Sequence, residues 1–190
     1  MPIQVGAEGS QPQWSFPAFR RSRLFNAGKS TIEGTGLELT YVPTRNLNVN
    51  ASTSYLRNSI EQVATIVVPG SSVTATVGPS NSLPFIPKWQ ANAGAGYTLH
   101  PGALLVTPRL DVSYTAAQFF DAANSREVAQ TSGVTVMYSS LTLENSTRVW
   151  RLMFGVNNLT DKLYPVAGNS SLSTSSGYAE IVYARPRNYS

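Results

Sequence analysis

The sequence has no cysteine and only one histidine in 190 residues. Without cysteine there are no disulfides, no thiol nucleophile and no thiolate metal site, although the compartment stays open. The one imidazole, His100, sits in a predicted tight turn, so a Ser–His–Asp triad or a histidine-rich metal centre lacks its material. Charge is scarce as well. Charged residues make up 13% of the chain, about half the usual level for a soluble protein. No run of 18 apolar residues occurs, which excludes a transmembrane helix. The start, Met1-Pro2-Ile3-Gln4-Val5-Gly6, lacks the basic and apolar regions of a signal peptide, so none is expected. The carboxylates Asp111, Asp121, Glu127 and Glu144 are scattered, and no glycine-rich phosphate loop follows a strand. No enzyme is expected from this inventory, and no cofactor. The formal charge of +4 has one local cluster, Arg20-Arg21-Ser22-Arg23. It lacks interleaved aromatics, so no nucleic-acid partner is expected.

What is present is alternation. Leu47, Val49, Ala51, Thr53 and Tyr55 alternate with Asn48, Asn50, Ser52 and Ser54, which is the period of a strand with one apolar face. Trp89 to Leu99 repeats the pattern against Gln90, Asn92, Gly94, Gly96 and Thr98. Further strands are read at 26–43, at 104–119 and at 133–144, where alternation is weaker. Another runs from Val149 to Val156, where Trp150, Leu152, Phe154 and Val156 share one side. A strand tail is read at Met1–Val5. Pro108 sits awkwardly in its strand because it cannot donate to the ladder. Gly34 and Gly36 suggest a bulge. Aromatic and β-branched residues are too plentiful for a disordered chain.

The connections alternate in length. Short ones fall near 43–46, 100–103 and 145–147. Long ones fall at 6–25, 59–85, 120–131 and 157–176, the second with a small hairpin expected over Val73 to Val77. Hairpins that are tight on one edge and open on the other are the pattern of a transmembrane β-barrel with outer loops and periplasmic turns. Tyr41, Tyr55, Trp89, Tyr97, Tyr114, Tyr138 and Trp150 recur near strand ends, as interfacial girdles do. A soluble antiparallel sandwich or barrel would turn the apolar faces inward instead. It would also place more Lys and Glu on the polar faces than this chain carries.

Three short motifs narrow the reading. Asn157-Asn158-Leu159-Thr160-Asp161-Lys162-Leu163-Tyr164 resembles the NLTDKxY signature near the C-terminus of TonB-dependent outer-membrane receptors. Asn26-Ala27-Gly28-Lys29 followed by Gly36-Leu37-Glu38-Leu39 is similar to their NAGK…GxEL strand. Tyr183-Ala184-Arg185-Pro186-Arg187-Asn188-Tyr189 resembles the ARPR stretch that opens their last strand. The three occur in the family's order. The resemblance implies an all-β, antiparallel meander of about seven strands, a section of a 22-stranded barrel, with residues 1–190 forming part of the barrel domain. It implies that the plug domain, the TonB box and part of the final strand are missing here. An open section of that kind is expected neither to insert nor to transport by itself.

By the same resemblance the whole receptor is an active transporter of a scarce nutrient, most often an iron-siderophore complex. Its partners are outer-membrane lipid, its own plug and remaining strands, the TonB complex and a small-molecule ligand. No residue here identifies that ligand, and no catalytic or metal residue is assigned. Asp161, Asn157 and Asn158 are expected to bond backbone in their turn. Arg185 and Arg187 are candidates to pair with lumen or plug carboxylates. Trp14, Phe16, Phe19, Phe119 and Phe120 lie on expected outer loops, where they stack on a ligand, pack among the loops or anchor in the aromatic belt. A passive porin and a soluble β-sandwich binding module remain the alternatives.

Overall fold

The computed structural model describes residues 28–63, 77–172 and 177–190. The expected strand tail at Met1–Val5, the loop over 6–25 and all but Val77 of the Val73–Val77 hairpin lie outside them. Seven strands form one antiparallel sheet in the order β1-β2-β3-β4-β5-β6-β9. They are β1 Gly28–Tyr41, β2 Leu47–Val63, β3 Trp89–Tyr97, β4 Leu104–Thr115, β5 Val134–Asn145, β6 Arg151–Asn157 and β9 Asn188–Tyr189. A separate hairpin pairs β7, Pro165–Ser170, with β8, Ala179–Tyr183. This is the all-β antiparallel meander expected, with tight turns along one edge and long connections along the other.

Register makes the sheet two-sided. Asn50 lies opposite Gly94, Gly94 opposite Asp111, and Asp111 opposite Tyr138. One position along, Ala51, Ala93, Val112 and Met137 form the matching row on the other face. Successive side chains point to opposite faces, so one face collects Asn, Ser, Thr and Gly. The other collects Leu37, Leu39, Val49, Ala93, Leu110, Leu141, Leu152 and Phe154. This apolar face is uncovered: Leu37 is 68% and Phe154 56% exposed. Among the described residues, the buried hydrophobics are Phe120, Val128 and Val134, all in or beside the connection from β4 to β5. A sandwich or soluble barrel buries its apolar faces, whereas a lipid-facing barrel wall leaves them bare.

Aromatics mark the edges of the apolar band. Tyr55 and Trp89 are direct cross-strand partners with ring centroids 4.8 Å apart. Tyr41, Tyr97 and Trp150 lie toward the short-turn end of the same face. Beyond the Tyr55–Trp89 level the first charged pair on this face is Glu33 opposite Arg57. Tyr138 departs from the girdle expected of it. Its register opposite Asp111 puts it on the polar face, where its ring lies across Gly155.

Other local expectations shift for physical reasons. The bulge falls between Lys29 and Ser30, where Glu61 is the extra residue on β2. Gly34 and Gly36 pair regularly with Leu56 and Ser54. Gly34 instead serves close approach, since a Cβ there would meet the Tyr55 carbonyl oxygen at 2.7 Å. β2 runs on to Val63, into the stretch expected to be loop, because β1 pairs with it along its whole length. Pro108 is tolerated at the cost of one ladder bond. Leu99 and Val106 exchange both backbone bonds, so alternation makes Tyr97 and Pro108 the next hydrogen-bonded pair. Tyr97 lies outside the β3–β4 ladder, which ends at Gly96 opposite Arg109.

The two faces respond differently to charge. Val112→Arg, near the middle of the apolar band, is expected to destabilise the sheet in a lipid bilayer by about 2–4 kcal/mol. Ser113→Arg, one residue on and facing the other way, should cost well under half of that. Reversible urea unfolding, in lipid vesicles, of a whole barrel that carries this chain reads the difference, and equal costs would refute the face assignment.

Candidate functional site

The polar face carries a charged cluster at its centre. Arg109 Nε donates to Asp111 Oδ2 at 2.8 Å, and Arg109 Nη2 donates to Asp111 Oδ1. The same Nη2 donates to Asn50 Oδ1 at 2.6 Å. The guanidinium therefore crosses β3 to reach β2, and Gly94 lets it pass. A Cβ on Gly94 would fall onto the Asp111 carboxylate, 2.5 Å from Arg109 Nη2. Planar two-point pairing of this kind is stiffer than a lysine contact. Beside the cluster opens a cleft of about 600 Å³. Asn50, Asn92, Asp111, Ser113 and Tyr138 line it from β2 to β5, Asn157 and Asn188 from β6 and β9, and Tyr164 and Arg185 from the facing segment between those two strands.

That facing segment is held by the turn after β6. Asn158 is buried, with φ at +51°. Its Nδ2 donates to the Lys162 carbonyl at 3.0 Å and the Arg185 carbonyl at 3.3 Å, while the Lys162 amide donates to its Oδ1 at 2.9 Å. Asn tolerates the left-handed conformation better than most residues because its side chain bonds locally. Asp161, also at positive φ, reaches further than its own turn. Its Oδ1 accepts the Arg187 amide at 2.8 Å, and its Oδ2 lies 3.7 Å from the Arg187 guanidinium. Asn157 Nδ2 donates to Asn188 Oδ1 at 3.1 Å. Gly155 and Ser190 then exchange backbone bonds of 2.7 and 2.9 Å. The asparagines and Asp161 thus clasp the 184–190 stretch onto β6. Arg187 finds its carboxylate inside the chain, and Arg185 lines the cleft.

At the long-loop end three connections pack together. Ser82 and Asn124 bond reciprocally, amide to Oδ1 at 2.6 Å and Nδ2 to carbonyl at 2.8 Å. Asn81 Nδ2 donates to the Ala122 carbonyl at 2.9 Å. Phe85 meets Phe120 with centroids 5.4 Å apart. A short 3-10 turn, Arg126–Val128, sits under the β7–β8 hairpin. A Cβ on Gly168 would come 2.7 Å from the Val128 Cβ, so glycine sets how closely hairpin and turn approach. Ser170 Oγ donates to Glu127 Oε1 at 2.6 Å. That bond, with one from its own backbone amide, holds the Glu127 carboxyl below the usual range, against opposing desolvation and the Asp121 charge.

Of the residues singled out in the sequence, Trp14, Phe16, Phe19 and the Arg20–Arg23 cluster lie outside the described residues. Phe120 is buried against Phe85 and is committed to loop packing. Phe119 borders a small cleft of about 240 Å³ with Gln118, Arg126 and Gln130. His100 is exposed in the turn between β3 and β4. Among the described residues no three His, Cys, Asp or Glu side chains gather as a metal site. The β7–β8 hairpin, the Arg109 cluster and the reach of Asp161 to Arg187 were missed in the sequence. Glycines at alternate positions opposite Arg109 and Asp111 were the one available sign of the cluster.

A family model described as "TonB dependent receptor-like, beta-barrel" matches residues 4–159. Among solved structures, the chain is similar to the ferric yersiniabactin uptake receptor FyuA from Yersinia pestis, with a TM-score of 0.68 at 21% identity. It is also similar to the siderophore receptor PiuA, at 0.65 and 20%, and to the ferric preacinetobactin receptor BauA, at 0.62 and 16%, both from Acinetobacter baumannii. Each match covers 85% of this chain but only 23%, 21% and 21% of the respective receptor. The chain thus spans less than a quarter of those structures. No curated protein matches it in sequence.

The clasp and the loop packing make separate predictions. Asn158→Ala removes three hydrogen bonds and leaves Ala at positive φ, an expected loss of about 2–4 kcal/mol. Asn158→Gly should recover about 1 kcal/mol of it. Hydrogen exchange at the Arg187 and Ser190 amides reads the loss, and unchanged protection would mean that the clasp does not hold β9. For the loops, a carboxyl lowered in the folded state contributes above its ordinary pKa of about 4.3 and stops contributing as pH falls through the lowered value. Docking of the β7–β8 hairpin, followed by exchange at Gly168, should therefore loosen in that acid window. Ser170→Ala should remove the pH dependence.

Proposed function

Because the chain belongs to the TonB-dependent receptor β-barrel family, we propose that it is one wall of an outer-membrane receptor for active uptake of a scarce nutrient. Iron-siderophore complexes are the favoured cargo. In this reading residues 1–190 belong to a larger, 22-stranded barrel. The apolar face meets outer-membrane lipid, and the polar face meets the plug. The short turns face the periplasm and the long connections face outward. The TonB complex draws on the proton gradient to move the plug, which this stretch of chain does not include.

The single observation that carries the reading is the pairing of an uncovered apolar face with a polar face built around the Arg109–Asp111–Asn50 cluster. Lipid is the surrounding in which bare Leu37, Leu152 and Phe154 are stable, and a plugged lumen is one in which the Arg109–Asp111–Asn50 cluster stays ordered. The names of the similar structures favour siderophores over other cargo. The lumen chemistry suits a receptor better than a water-filled porin, since the cleft is walled largely by amides and hydroxyls, with Asp111 held by Arg109 and with Arg185 on the facing side. A receptor needs no catalytic group of its own, because the transported molecule leaves chemically unchanged.

Uptake in cells tests this directly. Iron-starved cells carrying the receptor gene should accumulate a radiolabelled ferric siderophore, while deletion strains should not. Collapsing the proton gradient should abolish accumulation in the former. Accumulation that continued at the same rate would make the protein a diffusive channel. Loss of growth on an iron-free nutrient alone would replace siderophore as the cargo.

A further inference from the structure

The short-turn end carries a basic cleft. Three turns meet there, joining β1 to β2, β3 to β4 and β5 to β6. Arg45 comes from the first, His100 from the second and Arg148 from the third. With Arg151 at the start of β6 they border one cleft of about 330 Å³, whose remaining wall includes Thr98, Thr107 and Thr142. These threonines share the polar face with Arg109 and Asp111, so the cleft opens on the lumen side rather than toward lipid. Its one acid, Glu144, is opposite Arg151 in register and is ion-paired with it. Among the described residues no carboxylate pairs with Arg45 or Arg148. Arg45 also borders the adjoining cleft with Arg109, whose charge is spent on Asp111. The cleft thus keeps two uncompensated guanidinium groups.

The turns are fixed relative to one another by main chain. The Thr98 amide donates to the Asn46 carbonyl at 2.8 Å, tying the second turn to the first. The Ser146 amide donates to the Ala103 carbonyl at 2.9 Å, tying the third to the second. Within the third turn Asn145 Oδ1 accepts the Val149 and Trp150 amides at 2.7 and 3.1 Å. Arg148 occupies the left-handed position of this turn, at φ +55°. Glycine or asparagine takes such a position at less cost, and a strained arginine kept there is an observation that asks for a use.

We infer that this lumen-side basic cleft, built by Arg45, His100, Arg148 and Arg151, binds a carboxylate-bearing peptide segment at the short-turn mouth of the barrel. Charge complementarity selects an acidic partner, since guanidinium forks fit carboxylates. The lumen-side opening selects a polypeptide over a lipid headgroup. The row of backbone-linked turns supplies a pre-ordered surface, so little ordering is lost when the segment binds. This inference rests on the receptor reading for the identity of the mouth.

The test uses the whole receptor that carries this chain, in nanodiscs of neutral lipid. The probe is a fluorescent Asp- and Glu-rich decapeptide, read by anisotropy at low salt. Binding should occur, and it should weaken steeply as salt rises through the Debye range. Arg148→Gly should weaken it severalfold while leaving the fold intact or firmer, because glycine suits that φ. Arg45→Gln combined with Arg148→Gly should weaken it roughly tenfold, and Arg45→Lys should retain most of it. Heat-modifiable migration on gels reports the barrel independently. A folded receptor that ignores the peptide, or variants that bind it unchanged, would overturn the inference. So would loss of affinity for phosphatidylglycerol vesicles or inorganic phosphate in place of the peptide. A protein that shows no heat-modifiable barrel fails the receptor reading instead.

Discussion

The structure depends on one constraint: in a sheet with lipid on one side, every backbone donor and acceptor must find its partner on a neighbouring strand. Register follows from that constraint and decides the rest. A slip of one residue between β3 and β4 would send Arg109 and Asp111 to the lipid face and Leu110 and Val112 to the lumen. Charges in lipid and methyls against a polar cluster both oppose it. The polar cluster therefore acts on register as much as the apolar face does. Gly94 belongs to the same argument, since any side chain there would push the guanidinium off Asn50.

Most of the sheet was legible because one apolar and one polar face together impose a period of two. Strands β2, β3 and β6 follow their alternation closely, and the short turns carry recognisable turn residues. Legibility fails where the signal comes from another strand. In β5 apolar residues occur on both faces, so Val136 and Tyr138 cannot be sorted from Met137 and Leu141 until Asp111 and Gly155 are placed beside them. The bulge is similar: glycines attract the reading to Gly34, whereas the extra residue is Glu61, at the level where β1 and β2 rise above β3. The β7–β8 hairpin is short and weakly patterned, and what orders it is Gly168 against Val128, some forty residues earlier in the chain.

The turn after β6 shows the same division within one motif. Its own bonds, Asn158 with Lys162, are local, and the residue types announce them. Its second set, Asn158 to Arg185 and Asp161 to Arg187, spans more than twenty residues and carries the structural consequence. The clasp holds the last described strand in register on β6 from a position outside the ladder. A motif read only as a turn is therefore also a strand anchor.

The two ends of the sheet are held together by different mixtures of bonds. At the short-turn end successive turns are joined main chain to main chain, with few rotatable bonds between the linked groups. At the long-loop end one main-chain join, the Phe85 amide to the Phe119 carbonyl at 2.9 Å, is supplemented by joins through side chains: Asn124 to Ser82, Asn81 to Ala122, Ser170 to Glu127. Each such bond is worth only about 0.5–1.5 kcal/mol net, because water offers a competing partner. Between turns the short-turn end relies on backbone bonds, whereas the long-loop end adds asparagine and serine side chains to its one backbone join between Phe85 and Phe119.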